Sequence, residues 1–248
     1  DEHLLSETLR LASEIANRSA RHSADFLQSA AAASGVFKRF DHRTAEVSRA
    51  AFELGFQFAT RTGGMTADLW ASLPKTISRL SADTTVRLLE HAGRILDHGA
   101  SVTLHFISSG SEVLRLAPEV FDEWFNVLTR IAGQGNAVLI AFIRSTPKFF
   151  VQIAGSAEAA DETEKRLIKR VLELTAEIAE RDAESALAAF RSSAAALKKV
   201  SLEQFEEWIE TGLREKYGDS AKARRSYFAL ETRESNAFLR ETYGGLPM

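Results

Sequence analysis

Three histidines have the spacing that comes closest to a metal site: His91, His98 and His105 follow one another at intervals of seven residues. On one unbroken helix this interval would place the three imidazole rings on a shared face, where they could bind a transition metal. The run Asp97-His98-Gly99 is typical of a helix end, where a histidine is favourable beside the negative end of the helix dipole. We therefore predict no metal site and no cofactor, and interpret these histidines as capping or surface residues.

Other sequence patterns for catalysis are absent. The chain has no cysteine, which excludes disulfides, zinc fingers, iron–sulfur clusters and thiol nucleophiles. It has no Gly-x-Ser-x-Gly elbow, no Gly-x-x-x-x-Gly-Lys phosphate loop and no His-Glu-x-x-His pair. The pair Gly133 and Gly135 lacks the third glycine of a dinucleotide motif and predicts a turn. We predict no catalytic residues, and hence a protein that is not an enzyme.

The composition predicts an all-α protein. The 248 residues are 45% hydrophobic and 26% charged, with only four prolines. Alanine, leucine, glutamate and arginine are abundant, and these residues favour helix. Apolar residues recur at steps of three and four rather than two, as in Phe121, Trp124, Phe125, Leu128 and Ile131.

Charge and hydropathy limit which kinds of partner and which cellular compartment the sequence is compatible with. The net charge of −3 argues against a nucleic-acid partner, which calls for a basic surface. The longest apolar run, Ala137 to Ile143, is far shorter than the roughly 18 residues of a membrane span. The first residues, Asp1-Glu2-His3, do not resemble a signal peptide, and we expect a cytoplasmic protein.

A weak repeat runs along the chain. A small residue, an aromatic ring and then a serine or threonine recur in six segments, followed by a further apolar stretch. The aromatic residues are Phe26, Trp70, Phe106, Phe142, Phe190 and the pair Tyr227-Phe228. Their uneven spacing predicts irregular, solenoid-like repeats of helical hairpins, in which each ring fills the space between neighbouring pairs. The alternative is a compact helical bundle in which the same rings form the core.

Turn residues divide this pattern into helices. We predict turns at four glycine-containing sites and at a small, acidic loop, Gly155 to Glu162. Pro74, Pro118 and Pro147 are interpreted as helix starts or turns. A helix is predicted from Glu164 to about Arg181. The glycine-containing sites are Gly63-Gly64, His98-Gly99, Gly133-Gln134-Gly135 and Tyr217-Gly218-Asp219.

We predict that residues 1–248 form a single helical-repeat domain. The alternative is a domain that is subdivided near residues 155–162. Because the chain does not begin with Met, we expect it to be a fragment of a longer protein.

Three charged strips are candidate docking sites for a protein partner. The first is basic and contains Lys165, Arg166, Lys169 and Arg170; the second is acidic and contains Glu203, Glu206, Glu207 and Glu210; the third is the pair Arg224-Arg225. Such strips can set the orientation of a partner by charge complementarity. The alternative is a solvated helix face whose charges pair within the helix.

The last fifty or so residues carry a more specific pattern. Ser201 with Gln204 predicts a capping box, and an apolar stripe of Leu202, Phe205, Trp208, Ile209 and Leu213 follows. We expect Trp208 to be a core residue, with Tyr227 and Phe228 packing on it from the next helix. The sequence Phe-x-x-Trp-x-x-x-Gly-Leu, over residues 205–213, is followed by Tyr-Phe-x-Leu-Glu over residues 227–231.

These two motifs resemble the helical region N-terminal to the von Willebrand A domain in nitric-oxide-reductase-activation-type proteins. Thr232 stands where that family often has serine, a mild departure. The metal-binding Asp-x-Ser-x-Ser motif of the von Willebrand domain is absent from this chain.

The resemblance implies a partner as well as a fold. Members of that family act with MoxR-type AAA+ ATPases in the maturation or activation of enzymes. We therefore expect a non-enzymatic scaffold or adaptor whose partner is such an ATPase or its client enzyme. The rival hypothesis is a helical bundle that binds a small apolar ligand between its helices. The residues favour no particular oligomeric state.

Overall fold

The computed structural model of the chain describes residues 2–62, 66–154, 159–180, 183–197, 200–207 and 209. The prediction of an all-α protein is confirmed, since about 90% of these residues are helical and none lies in a strand. Three short 3₁₀ segments, Lys38–Arg43, Leu96–His98 and Pro118–Val120, lie between α-helices. The α-helices of the described part of the chain are α1 (Glu2–Ala16), α2 (Ala20–Phe37), α3 (Thr44–Arg61), α4 (Thr66–Ile77), α5 (Ala82–Ile95), α6 (Ala100–Leu116), α7 (Phe121–Ala132), α8 (Asn136–Ala154), α9 (Glu162–Ala179), α10 (Ala183–Leu197) and α11 (Leu202–Glu207).

The chain divides into two compact units, Asp1–Arg115 and Leu116–Met248. The subdivision expected near residues 155–162 would lie inside the second unit. That expectation, and the single domain over residues 1–248, stay predictions.

Most helices of each unit pack on the next helix, on the next but one, or on both. In the first unit, α3 packs against α1 and α5, and α2 packs against α4. In the second unit, α7 packs against α9, α8 packs against α10, and α11 follows on α10. Stacked helical hairpins produce this pattern of neighbours. The choice between repeats and a compact bundle stays a prediction.

The recurring aromatics occupy similar places in alternate helices. Every ring of the pattern that lies in the described residues is in an even-numbered helix, one to two turns from its start, and is buried. These are Phe26 in α2, Trp70 in α4, Phe106 in α6, Phe142 in α8 and Phe190 in α10. The sixth segment, with Tyr227 and Phe228, lies outside the described residues.

An aromatic cluster fills the core of the first unit. The Trp70 ring centroid lies 5.7 Å from that of Phe52, 6.4 Å from that of Phe26 and 6.5 Å from that of Phe37, all edge-on. Such edge-to-face pairs are favourable because the ring edge is positive and the face negative. Gly55 of α3 supplies the space for this cluster, since a Cβ atom there would lie 2.6 Å from Trp70 Cζ2.

The core of the second unit joins α7, α8 and α10. Phe190 lies 4.6 Å from both Phe142 and Phe149, measured between ring centroids. The Nε1 of Trp124 donates a 3.0 Å hydrogen bond to Oγ1 of Thr146, and both residues are buried. The apolar stripe predicted for α7 is likewise buried throughout.

Two of the three predicted proline boundaries are wrong. Pro118 opens a 3₁₀ segment as expected, but Pro74 lies inside α4 and Pro147 inside α8. An interior proline removes one backbone hydrogen bond, a cost that packing can outweigh. Buried residues lie on both sides of Pro147, among them Thr146 and Phe149, and their packing keeps α8 continuous.

Capping and turn geometry account for most of the helix ends. Gly99 and Gly135 have φ values of 103° and 133°, so both predicted glycine turns are confirmed within the described residues. The capping box of Ser201 with Gln204 is also confirmed, with hydrogen bonds of 3.3 and 3.1 Å. The helix predicted from Glu164 begins instead at Glu162, because Asp161 forms a capping box that the prediction missed.

One helix of the described residues, α8, is long and apolar enough to cross a membrane. Buried core helices of soluble proteins pass the same test, and α8 packs against α7 and α10. Length and composition therefore do not establish a span.

Candidate docking surfaces

The basic strip predicted on α9 is neutralised by carboxylates of neighbouring elements. Lys165 Nζ lies 3.3 Å from Glu119 and 2.9 Å from Glu162, measured to the carboxylate oxygens. Lys169 Nζ lies 2.9 Å from an oxygen of Glu123, at the start of α7. The hydrogen bond to Glu162, and to a smaller extent the one to Glu119, raises the pKa of Lys165. The pKa of Lys169 is raised by its hydrogen bond to Glu123.

The two arginines of the strip are paired as well. Arg166 lies 2.7 Å from Glu206 of α11, and Arg170 lies 3.4 Å from Glu173 of its own helix. The contact with Glu206 joins the predicted basic strip to the predicted acidic one. These pairs mostly link α9 to other elements, so they tie helices together and leave little uncompensated charge.

The remaining predicted site residues, Arg224 and Arg225, lie outside the described residues. The same holds for Trp208 and Glu210, so their predicted roles stay predictions.

The three evenly spaced histidines belong to three different elements. His91 is in α5, His98 ends a 3₁₀ segment, and His105 is in α6. The predicted helix end at His98 is confirmed, and the shared helix face does not exist. Over the residues that the structure describes, no three metal-ligating side chains are grouped.

A groove between α8 and α10, which we call the α8–α10 groove, has different electrostatics. It has a volume of about 550 Å³. The walls carry Arg144 and Lys148 from α8 and Arg191 from α10, all exposed. The other lining residues are Ala137, Ile140, Ala141, Ser145, Gln152, Phe190 and Ala194.

Among the described residues, the cations of this groove have no carboxylate partner. None of the three forms an ion pair with another described residue; the one hydrogen bond, of 3.4 Å, runs from Arg191 Nε to Ser145 Oγ. Helix α8 contains no acidic residue at all, and α10 contains only Glu184. Three positive charges therefore face solvent around one depression.

Besides its cations the groove is lined by small and apolar side chains and by two polar ones, Ser145 and Gln152. Phe190, fully buried, forms the base, and the alanines at positions 137, 141 and 194 keep the groove open. The Oε1 atom of Gln152 is buried and lacks a hydrogen-bond partner among the described residues. An unpaired buried acceptor is costly and marks a place where a donor would be favourable.

The sequence contains a pattern that indicates this groove, but the denser positive charge on α9 drew the prediction there instead. Dense runs such as Lys165-Arg166 attract notice, yet they are surrounded by the glutamates that pair with them. The informative pattern is a helix free of acids whose two cations, Arg144 and Lys148, are four residues apart on one face.

A second groove, in the first unit, is lined by charges of both signs. Glutamates of α1, α3 and α5 line it with Arg49 and Arg94. Arg49 lies 3.3 Å from Glu7, and Gln57 donates to Glu53 at 3.4 Å. Its mixed and partly paired charges favour no single kind of partner.

No protein family, curated protein or solved structure matches this chain. The resemblance of the C-terminal motifs to the nitric-oxide-reductase-activation-type proteins accordingly stays a prediction.

Proposed function

We propose that this chain is a non-enzymatic, cytoplasmic scaffold or adaptor that binds a protein partner. The observation that carries the proposal is the α8–α10 groove, where Arg144, Lys148 and Arg191 are exposed and unpaired among the described residues. Unpaired charges at the rim of an apolar depression are typical of surfaces that select and orient a partner.

The grooves favour a macromolecular partner over a small apolar ligand. A pocket for such a ligand is enclosed and lined mainly by apolar and aromatic side chains. The α8–α10 groove instead combines exposed cations with a single aromatic residue, Phe190.

The finer proposal names the partner. From the motifs at residues 205–213 and 227–231, we propose that the chain acts with a MoxR-type AAA+ ATPase in enzyme maturation or activation. The partner that contacts the chain is then the ATPase or its client enzyme.

Binding measurements with purified proteins test this proposal. A MoxR-type ATPase from the same genome, with and without ATP, is titrated against the chain by isothermal calorimetry. We expect saturable binding that Arg144→Glu with Lys148→Glu weakens. The matched control is Arg166→Glu with Lys169→Glu, which reverses two paired cations of α9. Binding that only the α9 variant weakens contradicts the role of the groove, and no binding of the ATPase or its client contradicts the finer proposal.

A further inference from the structure

The geometry points to an acidic amphipathic helix of the partner protein as the occupant of the α8–α10 groove. This inference rests on the proposed function, since it names the chemistry of the partner that the scaffold holds. It follows from the length of the groove, its floor and the placement of its charges.

The length of the groove suits a helix. Its lining follows one face of α8 from Ala137 to Gln152, which spans about 22 Å at 1.5 Å per residue. A partner helix of about 15 residues covers that distance. The small side chains at positions 137, 141 and 194 let a helix backbone approach closely, as in other helix-in-groove complexes.

The floor supplies apolar contact along this length. Half-buried Ile140 and the alanines at positions 137, 141 and 194 contribute this surface beside the cations, while Phe190 lies beneath it and is fully buried. Val151 extends the apolar surface of α8; it is 42% exposed and, seven residues after Arg144, lies on the same side of the helix. The apolar face of an amphipathic helix would bury this surface.

The charges specify acidic flanks on the partner. Arg144 and Lys148 are one helical turn apart on α8, and Arg191 faces them from α10. Glutamates on both edges of the bound helix would meet a cation on either wall. The absence of acidic residues from α8 means that no charge on that wall repels them.

A small anion or a nucleic acid fits the site less well. Phosphate sites use free backbone N–H groups at helix N-termini, whereas all three cations lie in the interior of their helices. Nucleic acids need an extended basic surface, and this chain has a net charge of −3 and an apolar groove floor.

Synthetic helices test the inference. The acidic probe is an acetylated, amidated peptide of about 15 residues, with leucine and alanine on one face and glutamate along both flanks. The basic probe carries lysine in place of every glutamate. Fluorescence anisotropy measures their binding to the intact chain and to Arg144→Glu with Lys148→Glu, whose folding is checked by circular dichroism.

We expect the acidic probe alone to bind the natural chain, more weakly as salt rises. The double reversal should weaken that binding by at least about tenfold and should create binding of the basic probe. Reversal of the paired α9 cations, Arg166→Glu with Lys169→Glu, should change binding by less than about twofold, because those charges lie outside the groove.

Three results would overturn the inference. The first is equal binding of the acidic probe to the natural and reversed chains. The second is displacement of that probe by an RNA of equal charge at lower concentration, which would indicate a nucleic-acid site. The third comes from a photoreactive benzoylphenylalanine substituted at Ala141, if it cross-links to the chain's own residues 210–248. If the ATPase binds the natural and reversed chains equally, the scaffold proposal survives and the groove assignment fails.

Discussion

Gly55 determines how closely α3 approaches the aromatic cluster of the first unit. Its missing Cβ would lie 2.6 Å from Trp70 Cζ2 and 3.2 Å from Phe26 Cε2. The Trp70 ring is held edge-on by three phenylalanine rings and cannot move aside without displacing them. The glycine therefore serves packing, since its φ is not positive.

Replacing Gly55 with alanine should destabilise the protein. Overpacking of a rigid core costs about 1–3 kcal/mol, while the better helix propensity of alanine returns about 1 kcal/mol. We expect a net loss of up to about 2 kcal/mol, measured by chemical denaturation.

Gly35→Ala is the matched control. Gly35 lies in α2, and a Cβ there would meet no atom within 4 Å. This variant should gain about 0.5–1 kcal/mol from helix propensity alone. Equal effects of the two substitutions would contradict the packing role of Gly55.

At this scale the sequence predicted which residues are buried but not how closely they approach. The recurring aromatics were expected in the core, and all those described are buried. The contact of Gly55 with Trp70 could not be predicted, because it depends on the distance between α3 and α4. No local pattern encodes such a distance.

At the scale of elements, helix ends followed from the sequence where side-chain capping is local. Ser201 with Gln204 forms its predicted box within four residues. The prolines were misjudged because propensity alone was weighed. Burial on both sides of Pro147 outweighs the local preference for a helix break, and only the tertiary structure reveals that burial.

Pro147→Ala should stabilise the protein by about 2–2.6 kcal/mol. The substitution restores an N–H that can bond to the carbonyl of Ile143, and it removes the interior-proline cost of about 3 kcal/mol. Greater freedom of the unfolded chain offsets about 0.4–1 kcal/mol of this gain. Thermal or chemical denaturation measures the difference.

Pro118→Ala provides a control of opposite sign. Pro118 begins a 3₁₀ segment, where its fixed φ is already suitable. Its loss should cost about 0.4–1 kcal/mol through the unfolded state. Destabilisation by Pro147→Ala would show that the packing of α8 requires the proline ring.

The ion pair of Lys169 with Glu123 should make the packing of α9 on α7 sensitive to alkaline pH. The pKa of Lys169 is raised above its ordinary value of 10.5 by the hydrogen bond to Glu123. A raised folded-state pKa means that the contribution is complete below pH 10.5 and is lost as pH rises through the folded value. The pair is exposed, so the effect is modest.

Thermal melts of the natural chain and of Lys169→Gln over pH 7–11.5 measure this contribution. The natural chain should melt higher by a constant margin up to about pH 10, and the margin should then shrink. A margin that stays constant to the top of the range would show that the substitution acts through packing rather than charge.

The docking surface proposed from the structure lies on α8 and α10, whereas the sequence directed the prediction to α9 and to Arg224-Arg225, which lie outside the described residues. A cationic docking surface was expected, and the density of lysine and arginine directed it to α9. Whether a cation is free depends on acids brought close by folding, such as Glu119 and Glu206. Among the described helices, α8 contains cations and no acidic residue, so its sequence alone shows that Arg144 and Lys148 cannot pair within their own helix.

For the whole molecule, a net charge of −3 conceals an uneven distribution. Among the described residues of the second unit, α9 balances its cations with glutamates, while Arg144, Lys148 and Arg191 of α8 and α10 have no carboxylate partner. Composition excluded a generally basic protein correctly but could not show a local basic groove. The division at residues 115 and 116 was equally hidden, since no linker composition marks it.

Because each unit has its own buried aromatic core, we expect the two units to respond separately to core mutations. Gly55→Ala should lower hydrogen-exchange protection in α2 to α4, which form the cluster around Trp70, and leave α7 to α10 unchanged. Pro147→Ala should alter protection only in α7 to α10. Exchange measured by mass spectrometry on peptic fragments, under conditions that favour the native state, resolves the two regions. An equal loss of protection in both regions after Gly55→Ala would contradict this expectation. It would mean that the two units unfold together in one cooperative opening, because a defect in one unit then lowers the free energy of opening for every protected amide in both.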